Sequence, residues 1–466
     1  MQTQSSALRL SAALAGMQFD GCQASERFSY DMTNAIKDKE SSSKTVLAAG
    51  RMYDIPVTVK IGFPTYAGYS QQGFVQEIEI NQRLNALMEK RFSPHLAAYI
   101  GSWQCSVGQV LAALSSEADK QKFTAQIDQI AQQTQSERLS LDDPCQLLVT
   151  QAIGAYSLYS YLVDPQPRLR EQEIIALLFQ IIWTANILAE KQIRHGDLSC
   201  QNVLVSRVNS KLAYIMDPPA AGDPDAFLIE APVMAHIANW HFGSAVGISN
   251  PRADAFCRET SSCGVDNDKA DIFTVLSEIW RRMREHPVYR NYSQVIEFIE
   301  SCIDRDLLSF FTKRTEQIRW PYRLCDGPFA NDCNRVAKRV NPAAKCTGPW
   351  RPADCLVKSP KQMLHQPKST LMRPVVNQSL FKDYVLRQPR KALGYTTVVE
   401  TDFVGQLPIH GYGTVPFYGN WPRDDEKFVR ARYAPPSSEE YLSRIIEPPA
   451  SARRTRDTSP RRPGSK

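Results

Sequence analysis

The chain has 466 residues, of which 43% are hydrophobic and 22% charged, with a formal net charge of +6. That composition is globular and long enough for one large or two ordinary domains with an ample core. A charge this mild over this length gives no ground for a nucleic-acid or membrane partner.

Residues 1–44 are polar and serine-rich and are expected to form a loose leader. The opening stretch "MQTQSSALRLSAALAGM" has a short apolar run interrupted by Arg9, which does not make a signal peptide. Residues 45–165 begin with two strand signals, "KTVLAAGRMY" and "PVTVKIG". A helix is predicted over "GFVQEIEINQRLNALMEKR", where Phe74, Ile78, Ile80, Leu84 and Leu87 fall largely at helical spacing. "HLAAYIGSWQC" reads as a strand, and 106–143 as an amphipathic helical insertion rich in Gln and Ala. "CQLLVTQAIGAYSLYSYL" then gives a strand, a glycine and the start of a helix.

Residues 166–320 are mostly helical in period. The apolar run "IIALLFQIIWTANILA" falls short of the roughly 18–20 residues of a membrane span and carries Gln180, Thr184 and Asn186, so it is read as a buried core helix. A short hairpin is expected from "NVLV" and "AYIM". The last 146 residues, with a Pro-rich extension over 321–450, differ in kind: Pro321 through Pro463 account for 18 of the 30 prolines, which leaves little room for long helices. Residues 451–466, "SARRTRDTSPRRPGSK", are expected to be a disordered basic tail.

The 11 cysteines are an odd number, scattered singly from Cys22 to Cys355. They read as thiols of an intracellular protein, cytoplasmic with the nucleus not excluded, rather than as a disulfide framework. Cys325, Cys333, Cys346 and Cys355 fit no familiar zinc spacing.

The segment "RHGDLSCQNVLVS" carries the chemistry. Its H-x-D-x-x-x-x-N spacing, with an apolar strand after it and Asp217 following "AYIM", could hold a divalent metal and orient a hydroxyl. A lone string of this kind is ordinarily a polar loop with an Asn-capped turn, so the surroundings decide.

Those surroundings resemble the protein kinase superfamily over roughly residues 45–315. "VTVK" is similar to the family's V-A-I-K strand, which makes Lys60 the ligand of the ATP α- and β-phosphates. Glu77 in "FVQEIEINQRL" falls at the helix glutamate that pairs with that lysine, with Glu79 as the fallback partner. By the same resemblance Asp197 is the catalytic base, Asn202 and Asp217 are ligands of Mg²⁺ (or Mn²⁺), and His195 packs structurally. Asp271 in "KADIFTVLSEIW" is the aspartate that braces the catalytic loop, and Glu259 in "FCRET" stands at the A-P-E glutamate. Gly50 in "LAAGRMY" is all that remains of the phosphate-cradling glycine loop. The fold implied is α+β and bilobal, a small β-rich N-lobe before a larger α-helical C-lobe, with an extended Pro-rich tail.

The pattern also departs from the family. Gly196 replaces the arginine of H-R-D, Ser199 stands where a lysine steadies the transferred phosphate, and Pro218-Pro219 follow Asp217 in place of Phe-Gly. Loops like H-G-D-L-S also occur in RIO kinases and small-molecule phosphotransferases, and such divergence is associated with kinases of large DNA viruses or parasites.

Three functions are therefore carried forward. The first is ATP- and Mg-dependent phosphoryl transfer to Ser or Thr of protein substrates. The second is a weak or inactive pseudokinase acting as a scaffold, with partner contacts through residues 321–466. The third is a small-molecule phosphotransferase. No membrane insertion is expected. The basic tail lacks interleaved aromatics, so specific nucleic-acid binding is not expected either.

Overall fold

The computed structural model describes residues 2–15, 22, 28–32, 45–64, 71–153, 156–208, 210–215, 226–254, 267–303, 308, 357–364, 380, 381, 384, 406–409 and 413–419. The elements in chain order are α1 (Gln2–Ala15), β1 (Phe28–Asp31), β2 (Thr45–Met52), β3 (Ile55–Gly62), α2 (Gln71–Glu89), β4 (Tyr99–Ser106), α3 (Val107–Ala113), α4 (Glu117–Thr134), β5 (Pro144–Gln151) and β6 (Tyr156–Ser157). They continue with α5 (Leu158–Val163), α6 (Glu171–Glu190), β7 (Ile193–Arg194), β8 (Val203–Ser206), β9 (Ser210–Ile215), β10 (Ala226–Ala231), β11 (Met234–Ile237) and β12 (Ser244–Ala245). The last are α7 (Asn267–Glu285), α8 (Ser293–Cys302), α9 (Pro360–Leu364), β13 (Gln406–Ile409) and β14 (Gly413–Gly419).

A five-stranded antiparallel sheet in the order β1-β2-β3-β5-β4 forms the first layer. β2 and β3 are joined by the two-residue turn Tyr53-Asp54, both at positive φ (45° and 67°). Two left-handed residues give the turn a twist that matches its flanking strands, so this hairpin closes without glycine. Val57, Val59 and Ile61 of β3 are buried at alternate positions. Across the sheet lies α2, whose buried Phe74, Glu77, Asn81, Leu84 and Met88 recur every three or four residues on one face.

The leader expected in 1–44 is corrected where it is described. Ala7, Leu10, Ala13 and Leu14 bury one side of α1, which lies along β4, and Gln4 Nε2 donates to the carbonyls of Pro94 (3.0 Å) and Leu96 (2.9 Å). β1 adds an edge strand to the sheet, and Cys22 is disulfide-bonded to Cys105 of β4. The reading of all cysteines as separate thiols is thus corrected for this pair. Its partners are 83 positions apart, a spacing invisible to short-range pattern reading. A cross-link closing a loop of that length stabilises by roughly 4 to 5 kcal/mol in the chain-entropy account, and reducing conditions would remove that contribution.

The second layer is built on α6. By length and composition α6 could cross a bilayer, yet 89% of its apolar window is buried by protein, as expected of a core helix. α7, α8 and α9 pack around it. From the Pro-rich stretch, Phe381 is fully buried with its ring 5.2 Å from that of Phe179 on α6 and 5.1 Å from that of Phe298.

The strand pairing differs from expectation. β8, "VLVS", pairs with β11 and β6, whereas β9, "SKLAYI", pairs with β10 and, in parallel, with β14. The hairpin predicted from "NVLV" and "AYIM" does not form. β9 and β10 make an inserted hairpin between β8 and its true partner. Both candidate partners are short apolar segments, and period-two patterning says which face is buried, not which strand lies alongside.

Candidate functional site

The site lies where the sheet meets the helical layer. Lys60 on β3 and Glu77 on α2 are both buried, and Lys60 Nζ donates to Glu77 Oε1 and Oε2, each at 2.7 Å. Glu79 is exposed, so the fallback partner is not used. Burial by itself would raise the Glu77 carboxyl, but the Lys60 charge and His241 outweigh it and hold the group at about 2. His241 Nδ1 stands 3.6 Å from Glu77 Oε2, and its Nε2 faces the Arg252 guanidinium.

The loop between β7 and β8 is held from α7. Asp271 accepts from the backbone N–H groups of His195 (2.7 Å) and Gly196 (2.9 Å). Glu278, two turns further along the same face, accepts from the N–H of Cys200 at 2.7 Å. Glu278 was missed from sequence; its i+7 spacing from Asp271 was the available signal. His195 receives the Asp197 N–H at Nδ1 (3.3 Å), donates from Nε2 to the Ala238 carbonyl (3.0 Å), and lies with its ring 4.6 Å from that of Trp240.

Gly196 has φ +80°, and a Cβ there would stand 2.5 Å from the Phe242 carbonyl oxygen. This close approach accounts for a glycine where the kinase pattern has arginine. Gly196→Ala should destabilise the protein by about 2–3 kcal/mol, through the left-handed backbone and the overlap together. Urea denaturation measures this, and a loss below about 0.5 kcal/mol would show that the loop yields freely.

Asp197 and Asn202 are brought together. Asn202 Nδ2 donates to the Asp197 carbonyl (2.6 Å) and to its Oδ2 (3.0 Å). The residue that completes the cluster is one the sequence reading passed over, Asn239. It stands two positions beyond β11 at φ 68°, donates from Nδ2 to Asn202 Oδ1 (3.0 Å), and accepts from Lys60 Nζ at Oδ1 (3.5 Å). The N–H of Ala238, beside it, donates to the Asn202 carbonyl at 2.9 Å.

Asn239 thus follows the strand paired with β8, which is the place expected for Asp217. Asp217 itself lies outside the described residues, as does Glu259. Tyr214, three positions before Asp217, hydrogen-bonds His95 Nε2 (2.8 Å) and packs on Phe179 and Trp183, on a strand that does not pair with β8. The signal for Asn239 is "MAHIAN", a strand running into a polar residue, with an amide in place of the carboxylate of the kinase pattern.

Gly50 is also corrected. It lies within β2 opposite Val57 and Tyr30, and a Cβ would stand 2.4 Å from the Ser29 carbonyl oxygen. Its place is set by the close approach of β1 rather than by a phosphate. The segment between β1 and β2, residues 33–44, contains no glycine and lies outside the described residues.

A magnesium site of the expected kind needs carboxylates converging on one point. Among the described residues the cluster offers one carboxylate, Asp197, and two amides already bonded to each other, with the Lys60 ammonium beside them. No group of three or more His, Cys, Asp or Glu suited to a metal occurs among the described residues. These residues do not fit the ion. The Lys60 ammonium, fixed by Glu77, does suit a phosphate oxygen.

Residues 109–219 match the family described as protein tyrosine and serine/threonine kinase. The match includes Asp197 and Asn202 and leaves out Lys60, Glu77, Asn239 and Asp271. No curated protein matches the chain. Proteins of this family generally use ATP and Mg²⁺ and act on protein substrates, and the mixed helix and strand architecture is compatible with their bilobal fold. The match covers 111 of the 466 residues, and over that span the chain is similar to the protein kinase superfamily.

Proposed function

We propose that the chain transfers the γ-phosphoryl group of ATP to a serine or threonine hydroxyl of a protein substrate, in a cleft between a sheet lobe and a helical lobe. The observation that carries this reading is the Asp197 loop, its backbone held by Asp271 at two N–H groups and its aspartate tied to Asn202. A base positioned in this way accepts the proton of the attacking hydroxyl while ADP leaves with the β–γ bridging oxygen. Lys60, oriented by Glu77, holds the non-transferred phosphates.

A second reading, an interaction platform with little or no transfer, is favoured by Asn239 at the metal position and by the glycine-free stretch 33–44. Transfer from labelled ATP, with Mg²⁺ or Mn²⁺ supplied, separates the two. On the first reading Asp197→Asn lowers the rate by about 10²–10⁴-fold with unchanged melting. No transfer by folded wild type, or equal transfer by both proteins, would overturn it.

A further inference from the structure

We infer that this cleft binds a nucleoside triphosphate without a divalent cation, because Asn239 does by hydrogen bonding what a metal would otherwise do. The inference rests on the proposed nucleotide-binding role of the cleft.

Consider what the cluster must satisfy. Asn202 Nδ2 is committed to Asp197, so its Oδ1 points toward position 239 as an acceptor. With an aspartate at 239 two acceptor oxygens would face one another, and only a cation between them would make that stable. Asn239 removes the need: its Nδ2 donates directly to Asn202 Oδ1 at 3.0 Å, and its own Oδ1 is met by Lys60 at 3.5 Å. Lys60, Asn239, Asn202 and Asp197 form one unbroken chain of donors and acceptors running from the sheet to the catalytic loop.

The position is fixed as well as satisfied. Ala238 donates to the Asn202 carbonyl on one side and accepts from His195 Nε2 on the other. Admitting a metal would mean breaking the Asn239–Asn202 bond and bringing a second positive charge up to Lys60. Charge balance points the same way. The cluster carries one negative charge fewer than it would with an aspartate at 239, so a polyphosphate entering beside Lys60 meets less repulsion for a dication to offset.

The test uses the full-length chain and calorimetric titration with ATP, in EDTA and in Mg²⁺. Wild type should bind with dissociation constants that agree within about threefold in the two conditions, and Lys60→Met should lose binding in both. Asn239→Asp should acquire metal dependence, binding more than about tenfold more tightly with Mg²⁺ than in EDTA. Wild-type binding that requires Mg²⁺ would overturn this inference alone. Absence of binding in both conditions would overturn the nucleotide reading of the cleft and the inference with it.

Discussion

Glu77→Gln should cost the fold about 3–5 kcal/mol, as expected when one partner of a buried ion pair is removed and the other charge stays. The Lys60 ammonium is held between two carboxylate oxygens at 2.7 Å, and its remaining hydrogen-bond partner among the described residues is the neutral Asn239 amide at 3.5 Å. A glutamine leaves that charge in a buried site with no anion hydrogen-bonded to it among the described residues. The depressed Glu77 carboxyl points the same way: burial alone would raise it, and the Lys60 charge with His241 holds it below its ordinary value. Lys60→Met should cost a similar amount by stranding the carboxylate. The double variant Lys60→Met/Glu77→Leu should recover most of the loss, because it removes both desolvated charges together. Chemical denaturation of the four proteins gives the coupling energy. Single variants each within about 1 kcal/mol of wild type would show that the pair is solvated and not buried as described.

Acid should unfold the protein over a window set by its buried imidazoles. Burial and then the neighbouring His236 charge lower His95 to about 3, against a hydrogen bond to the Ala235 carbonyl that acts to raise it. His236 is likewise held at about 3, chiefly by burial. Burial with the nearby Lys60 and Arg252 charges keeps His241 at about 4 in spite of Glu77. All three lie below the ordinary value of 6.5, so the unfolded chain binds more protons than the native one as pH falls through that value. Stability is therefore full above about pH 6.5 and declines below it, each imidazole costing on the order of 3 kcal/mol by pH 4. Glu77 has the same sign: its contribution is present above 4.5 and lost as pH drops toward 2. Together these terms rival the whole stability of an ordinary domain. Urea midpoints from pH 7.5 to 4 measure the effect. His95→Gln, which keeps polar atoms able to meet the Ala235 carbonyl and the Tyr214 hydroxyl, should flatten the slope, and a flat profile in wild type would contradict the burial of these groups.

Several site residues were readable from local pattern. Lys60 lies on an alternating apolar strand, Glu77 sits on the inward face of a helix with a 3.6-residue period, and Asp271 lies early in another helix. Asp197 and Asn202 share one short loop whose spacing is itself the signal. In each case the chemistry and the element that presents it lie within a few residues of one another. The apolar helix over 174–189 was legible for the same reason: a segment hydrophobic all round must be buried on all sides.

What depended on distant segments was not readable in this way. The α1 helix looked polar in its stretch of sequence, yet four of its small and apolar residues find β4 waiting for them. Cys22 gains its partner only because the leader folds back on that same strand. Gly50 owes its identity to the backbone of β1, which no window around position 50 contains.

The sequence by itself determined the family resemblance, the Lys60–Glu77 partnership, the Asp197–Asn202 loop and its brace, because each is a local spacing of polar groups on a periodic apolar frame. Only the tertiary structure decided which strand lies beside β8, and with it whether an aspartate or an asparagine meets Asn202. Strand pairing is a long-range choice among segments with the same alternation. Here the inserted hairpin β9–β10 left the nearer apolar segment in another sheet and brought "MAHIAN" to the cleft.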